Sequence, residues 1–194
     1  MTPAVWLLAA ALPLAAQPKL LTNAKLDTRS AAASLDREFA SLLATQPQPA
    51  WIGYTVPAAR GSSPGCEGFS GVVHLEPPEQ ALILFRVEAN AVTRIRSIAP
   101  DCAIDAGGVP VHWLSDVKPA ESVALLATFV PQKKPDGHSA LRAIALHAGP
   151  EALDLLIELV KTTRDAEVRK QAMSLLGQSR DTRALAFFED VLKR

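Results

Sequence analysis

The chain has 194 residues, of which 48% are hydrophobic and 21% are charged. This composition excludes a disordered chain, and the length suits one ordinary domain or two small ones. Twenty basic residues balance twenty acidic ones, which excludes a general attraction for nucleic acid unless the fold creates a local basic patch.

The first sixteen residues, MTPAVWLLAAALPLAA, are typical of a secretory signal. An apolar run over 5–12 is followed by the small residues Ala15 and Ala16, and we predict cleavage after Ala16 and export to the periplasm or beyond. No basic residue precedes the apolar run, so a buried or frayed N-terminal helix is the alternative. No later apolar run is long enough to span a bilayer.

Residues 22–117 are predicted to form a mixed α+β domain. Leu35, Phe39, Leu42 and Leu43 recur at helical spacing, which predicts a helix over 31–44 that ends at the proline-rich stretch 46–49. The turn at 88–90 predicts a hairpin, because asparagine tolerates left-handed dihedral angles. The predicted strands cover 23–29, 51–56, 71–76, 80–87, 91–98 and 109–114.

Residues 119–194 are predicted to be helical and to contain an internal repeat. Pro119 and Glu121 open a helix over 120–130. After a polar loop, the segment 143–146 aligns with 172–175, and the segment 155–160 aligns with 187–192. Self-similarity at a period of about thirty residues indicates stacked helix pairs, here over 138–161 and 166–192.

The second repeat resembles the short bacterial HEAT repeat, also called the PBS-lyase-type repeat. The resemblance rests on DAEVRKQAMSLLG at 165–177 and DTRAL at 181–185. The chain also resembles exported HEAT-repeat proteins of soil bacteria through NAKLDTRSA, WIGYTVPA and DCAIDAGGVPVHWL. The predicted fold is therefore α+β, with a small mixed domain followed by a short HEAT-like solenoid. The resemblance implies no catalytic residue.

The number of repeats has a physical consequence. About three stacked units are usually needed for a stable array, and only two are found here. We therefore predict that the helix at 120–130 caps the array and docks it onto the mixed domain.

The two cysteines predict a disulfide in an exported chain. Cys66 and Cys102 would close a loop worth about 3–4 kcal/mol in the chain-entropy description. A zinc site formed by Cys66, His74, Cys102 and His112 is the alternative, although the spacings are wider than those of structural zinc sites. Reduced and inert cysteines are a third possibility.

A G-x-S-x-G pattern at 61–65 does not predict a hydrolase. Ser63 would be the nucleophile, but Pro64 has no N–H for an oxyanion hole. His147 replaces an apolar repeat position, which indicates a partly buried, hydrogen-bonded histidine, with a pH-sensitive contact as the alternative. His138 is expected near a helix start.

The charges of the repeat region are mixed in sign, which is typical of a solvated face. Arg169, Arg180 and Arg183 could still form a patch near the turns, where repeat proteins often bind, and these are the predicted partner-binding residues.

These observations favour a non-enzymatic interaction or scaffolding protein of the cell envelope, without a cofactor or nucleic acid, that binds a protein partner through its repeats. The alternative is an envelope hydrolase or zinc enzyme using the region of Cys66, His74, Cys102 and His112. A third interpretation is a small-ligand pocket beside Trp51, Tyr54 and Trp113, although such aromatic residues are more often core.

Overall fold

The computed structural model describes residues 21–62, 64–66, 76–132 and 137–193. The strands are β1 (Leu21–Thr22), β2 (Lys25–Ser30), β3 (Ala50–Pro57), β4 (Gln80–Glu88), β5 (Ala91–Ile98), β6 (Ile104–Asp105) and β7 (Pro110–Ser115). The helices are α1 (Leu35–Thr45), α2 (Pro119–Ala127), α3 (Gly137–Ala145), α4 (Pro150–Thr162), α5 (Ala166–Gln178) and α6 (Thr182–Leu192). The mixed sheet and the following helices agree with the predicted α+β class.

Five strands form one mixed sheet in the order β2-β7-β3-β4-β5. β7 pairs in parallel with both β2 and β3, whereas β3, β4 and β5 pair antiparallel. The chain passes from β2 through α1 to β3, which leaves space between them for β7. Every residue from Ala81 to Phe85 in β4 is buried, as expected of a strand covered on both faces.

The predicted hairpin is confirmed between β4 and β5. Ala89 and Asn90 connect the strands with positive φ angles of 50° and 57°. Two consecutive left-handed residues give the turn twist that suits paired strands. The predicted strand at 71–76 falls outside the described residues, except for Glu76, which lies in a bend.

Helix α1 covers one face of the sheet. Its N-cap Ser34 accepts a hydrogen bond from the Arg37 backbone N–H, and Leu35, Phe39 and Leu42 form the buried face. The prediction began this helix at residue 31, but Ser34 begins it later because the cap satisfies one of the free N–H groups of the first turn.

The opposite face of the sheet carries a smaller core. β1 and β6 form a separate two-stranded parallel sheet. The disulfide between Cys66 and Cys102 lies beside Trp113 and Leu84 in this cluster. The predicted bridge is therefore present.

Helices α3 to α6 occupy the region predicted to contain two helix pairs. Asp165 and Asp181 accept backbone hydrogen bonds at the starts of α5 and α6, and Pro150 occupies the first turn of α4. The two aspartate caps and the proline each stabilise a helix start, where backbone N–H groups lack helical partners. α4 and α5 pack together, and α3 contacts α2, α5 and β5.

The main core extends from the sheet into the helices. The Phe85 ring lies 4.9 Å from Phe39 of α1 and 5.9 Å from Phe129, which follows α2. The same cluster of buried side chains continues through Leu141 and Ile144 of α3 to Leu176 and Phe187. Among the described residues, no helix is long and apolar enough to cross a membrane.

Candidate functional site

A central cleft of about 980 Å³ lies between the sheet and the helical region. One wall is the 58–62 segment, which follows β3, together with part of β5. The other wall comes from α3, the turn into α4, and the end of α5. A cleft of this volume lies at the upper end of the range for ligand pockets.

Backbone hydrogen bonds fix the 58–62 segment against the helices. The Ala59 N–H donates to the Leu146 carbonyl at 2.8 Å, and the Ala148 N–H donates to the Pro57 carbonyl at 2.9 Å. Ala58 and His147 thereby form an isolated antiparallel bridge. The extended backbone of β3 thus continues into the turn between α3 and α4.

The turn between α5 and α6 meets the 58–62 segment at Gly61. A Cβ atom built at Gly61 would lie 2.9 Å from the Arg180 Nε, and the φ of Gly61 is +77°. A side chain at this position would therefore be strained and would also collide with Arg180. Glycine lets Arg180 pack directly over the backbone, at the edge of the cleft.

Four arginines line the cleft: Arg60, Arg96, Arg142 and Arg180. The acidic residue of the lining is Asp181, whose carboxylate accepts hydrogen bonds from Arg183 at 2.9 and 3.2 Å. These hydrogen bonds lower the pKa of Asp181, so Asp181 stays charged and paired with Arg183. The described lining of the cleft therefore has an excess of positive charge in a protein with no net charge.

Three of these arginines lack an ion pair within the part of the chain that the structure describes. Among the described residues, no carboxylate lies within ion-pair distance of Arg60, Arg142 or Arg180. Arg142 bonds to the hydroxyl of Ser139 at 3.3 Å, and all three residues are exposed.

The floor of the cleft is apolar. Its side chains come from α4, α5 and the end of α3, and they are buried or half-buried: Leu146, Ala152, Leu153, Leu156 and Leu175. An apolar floor below charged edges fits a ligand that carries both apolar and charged groups.

A buried series of hydrogen bonds begins at His147, which is part of the cleft lining. His147 Nδ1 is 2.8 Å from the Ala143 carbonyl, which can only accept, so Nδ1 carries the proton. His147 Nε2 then accepts from Ser122 at 2.8 Å. Ser122 has one hydroxyl proton, so Tyr54 donates to Ser122, also at 2.8 Å, and burial raises the pKa of Tyr54 and keeps that proton in place.

These hydrogen bonds link three parts of the fold: Tyr54 of β3, Ser122 of α2, and His147 in the turn that follows α3. Ser122 and Tyr54 are fully buried and His147 is 2% exposed, so no substrate reaches the Ser122 hydroxyl. The hydrogen bonds predicted for His147 are present, although the side chain is buried rather than partly buried, and they connect the helices to the sheet.

We predict that His147 makes the stability of the protein depend on pH. Burial lowers its pKa from the ordinary 6.5, so below pH 6.5 the unfolded chain binds a proton that the folded chain does not. The free energy of unfolding should therefore decrease as the pH falls below 6.5, by up to about 1.4 kcal/mol per pH unit. Urea unfolding at a series of pH values measures this slope.

Removal of the histidine tests this prediction. His147→Gln should reduce the pH slope, because it removes the titrating group. Leu185→Ala, a non-titrating change at an exposed position of α6, is the control and should leave the slope unchanged. An unchanged slope in His147→Gln would show that other groups cause the pH dependence.

The three predicted partner-binding arginines have different surroundings. Only Arg180 lines the cleft. The Arg169 guanidinium donates to the Thr163 carbonyl at the end of α4, and Arg183 pairs with Asp154 at 3.2 Å as well as with Asp181. Arg169 and Arg183 thus hold neighbouring helix ends together, and a partner-binding role for them remains a prediction.

The alternative zinc site loses two of its four ligands to the disulfide. Cys66 and Cys102 are bonded to each other, and a disulfide sulfur is not the thiolate that zinc binds. His112 lies 3.3 Å from the Asp27 carboxylate, and His74 falls outside the described residues. Ser63 of the G-x-S-x-G pattern also falls outside them.

The three aromatic residues of the predicted small-ligand pocket do not line one common pocket. Tyr54 and Trp113 are fully buried in the core. Trp51 lines a smaller cavity of about 260 Å³ beside the disulfide, and the Arg86 guanidinium lies 5.6 Å from its ring. Trp51 therefore faces a cavity, whereas Tyr54 and Trp113 belong to the core.

Arg60, Arg96 and Arg142 were not predicted as site residues. They come from a segment after β3, from β5 and from α3, and no motif connects these positions. These arginines become neighbours only in the folded protein, because the hydrogen bonds between the 58–62 segment and the helices bring them together.

Residues 137–194 match the family model for HEAT repeats. The match begins at α3 and supports HEAT-like repeats in the helical region. No curated protein and no solved structure matches this chain.

Proposed function

We propose that this protein is a non-enzymatic interaction module of the cell envelope, which binds a protein partner in the central cleft. The HEAT-repeat match supports an interaction role, since such repeats commonly bind other proteins along an extended surface. Fold alone does not establish function, so the site carries the proposal.

The observation that carries it is the composition of the cleft. Exposed arginines with no carboxylate partner among the described residues stand above an apolar floor, and the HEAT-like helices provide much of both. Arginine is enriched at protein interfaces, where its guanidinium pairs with carboxylates and its stem covers apolar surface.

Export of the chain is part of the proposal. The signal-like segment 1–16 supports it, although that segment falls outside the described residues. The disulfide between Cys66 and Cys102 supports it independently, because such bridges persist in oxidising compartments.

Site-specific photo-crosslinking in the native envelope tests this function. A photoreactive residue replaces Gln178, which lines the cleft, or Asp36, which is exposed on α1. We expect a protein adduct at position 178 that is absent at position 36, and mass spectrometry of the adduct identifies the partner. The purified partner should then bind the full chain reversibly.

Two outcomes would contradict the proposal. One is equal labelling at positions 178 and 36, which would indicate random collisions. The other is recovery of the protein only from the cytoplasmic fraction, which would exclude an envelope role.

A further inference from the structure

We propose that the central cleft binds an extended acidic segment of the partner, in which carboxylates alternate with apolar side chains. This inference rests on the proposed function and specifies the chemistry of the partner. The carboxylates pair with Arg60, Arg142 and Arg180, while the apolar side chains pack on the helical floor.

The charge of the cleft supports the acidic part of the proposal. Arg60, Arg142 and Arg180 come from three different elements and have no carboxylate partner among the described residues. Guanidinium groups can bind carboxylates with two parallel hydrogen bonds, which adds geometric specificity to the attraction. Asp181 does not cancel this charge, because Arg183 already pairs with it.

The floor supports a peptide over a small free anion. Leu146 and Leu175 are half-buried and present apolar surface to a ligand, while Leu153 and Leu156 are buried at the base of the cleft. Inorganic anions gain nothing from apolar surface, whereas side chains of a peptide remove it from water. Extended chains also place successive side chains on opposite faces, so one face can carry the apolar residues.

The lining argues against nucleic acid. Single-stranded nucleic acid is usually bound by aromatic side chains that stack on the bases, in addition to basic residues. The described lining of this cleft contains no phenylalanine, tyrosine or tryptophan, and its one histidine, His147, is only 2% exposed.

Arg180 has a defined position in this site. Its side chain packs on the backbone of Gly61, where a Cβ atom would approach within 2.9 Å of it. Glycine at position 61 therefore leaves room for the Arg180 side chain at the edge of the cleft, where its exposed guanidinium can meet a carboxylate.

The test is fluorescence anisotropy with the full oxidised chain and a short labelled peptide in which glutamate alternates with leucine. We expect saturable binding that weakens with added salt, and no binding of the matched peptide with lysine in place of glutamate. The double variant Arg142→Glu and Arg180→Glu should raise the Kd by about 100-fold, since each site loses a charge-assisted pair.

The double variant Lys25→Glu and Arg37→Glu is the matched control, because it makes the same change of charge at exposed positions on β2 and α1. Its Kd should stay within about threefold of the unchanged protein. Circular dichroism establishes that every variant is folded. If the charge reversals disturb folding, Arg142→Gln and Arg180→Gln remove the charges more mildly and should still weaken binding.

Three results would overturn the acidic-segment proposal: unchanged affinity in the folded cleft variants, full displacement of the peptide by inorganic phosphate at matched ionic strength, or tighter binding of single-stranded DNA. A partner crosslinked at position 178 that lacks an acidic segment would also overturn it, while the proposed function would stand. Peptide binding without any crosslinked protein would instead contradict the proposed function.

Discussion

Phe85→Ala is expected to lower the free energy of unfolding by about 3–5 kcal/mol. Phe85 is fully buried, and its ring contacts Phe39, Tyr54 and Phe129 at centroid distances of 4.9, 5.8 and 5.9 Å. These partners belong to α1, to β3 and to the end of α2. Truncation would leave a cavity at the point where the sheet and the helices share one core.

Urea unfolding measured by two signals tests this prediction and the continuity of the core. The fluorescence of Trp51 and Trp113 reports on the sheet, whereas far-UV circular dichroism reports mainly on the helices. We expect both signals to shift together in Phe85→Ala and to keep a single coincident transition. Leu185→Ala is the control, because Leu185 is 64% exposed on α6 and its truncation should cost little.

A helical signal that survived after the tryptophan transition would contradict this prediction. In that case the HEAT-like helices would unfold independently of the sheet. Such behaviour would also argue against the prediction that the helix at 120–130 docks the repeat array onto the mixed domain.

Local patterns predicted much of the secondary structure. The hairpin of β4 and β5 depends on neighbouring apolar runs and on a turn at Asn90, and the structure confirms both. The helix pairs also agree closely, because their apolar periodicity, caps and Gly149-Pro150 turn all lie within short stretches of sequence.

The strand order depends on contacts that are distant in sequence. β7 inserts between β2 and β3 in parallel with both, and no turn or spacing indicates this arrangement. β1 and β6 have two residues each, which is too short for alternation to be detected. Their pairing depends on the surrounding fold.

The candidate site was predicted only in part for the same reason. Arg180 was predicted because it lies beside a repeat turn, and repeat proteins often bind their partners near such turns. Arg60 and Arg142 join it only because the Ala58–His147 bridge brings a segment of the mixed sheet to the helices. The sequence also does not show which charged residues form ion pairs with each other. Arg183 was predicted to bind a partner, but it is already paired with Asp154 and Asp181.

Loss of the disulfide is the second large effect. The double variant Cys66→Ala and Cys102→Ala should lower the free energy of unfolding by about 3–4 kcal/mol in the chain-entropy description. The bridge joins residues 36 positions apart, so it removes many conformations from the unfolded chain. Cys102 is 3% exposed, and alanine avoids placing an unpaired hydroxyl in that apolar cluster.

Urea unfolding with and without a reductant separates the bridge from the side chains. Reduction should destabilise the unchanged protein to about the level of the double variant, and it should have no effect on the double variant itself. Since Cys66 lines the central cleft, the reduced protein should also bind the acidic peptide more weakly. Equal stability before and after reduction would show that the bridge does not stabilise the fold, and the argument from the disulfide to an oxidising compartment would then lose its support.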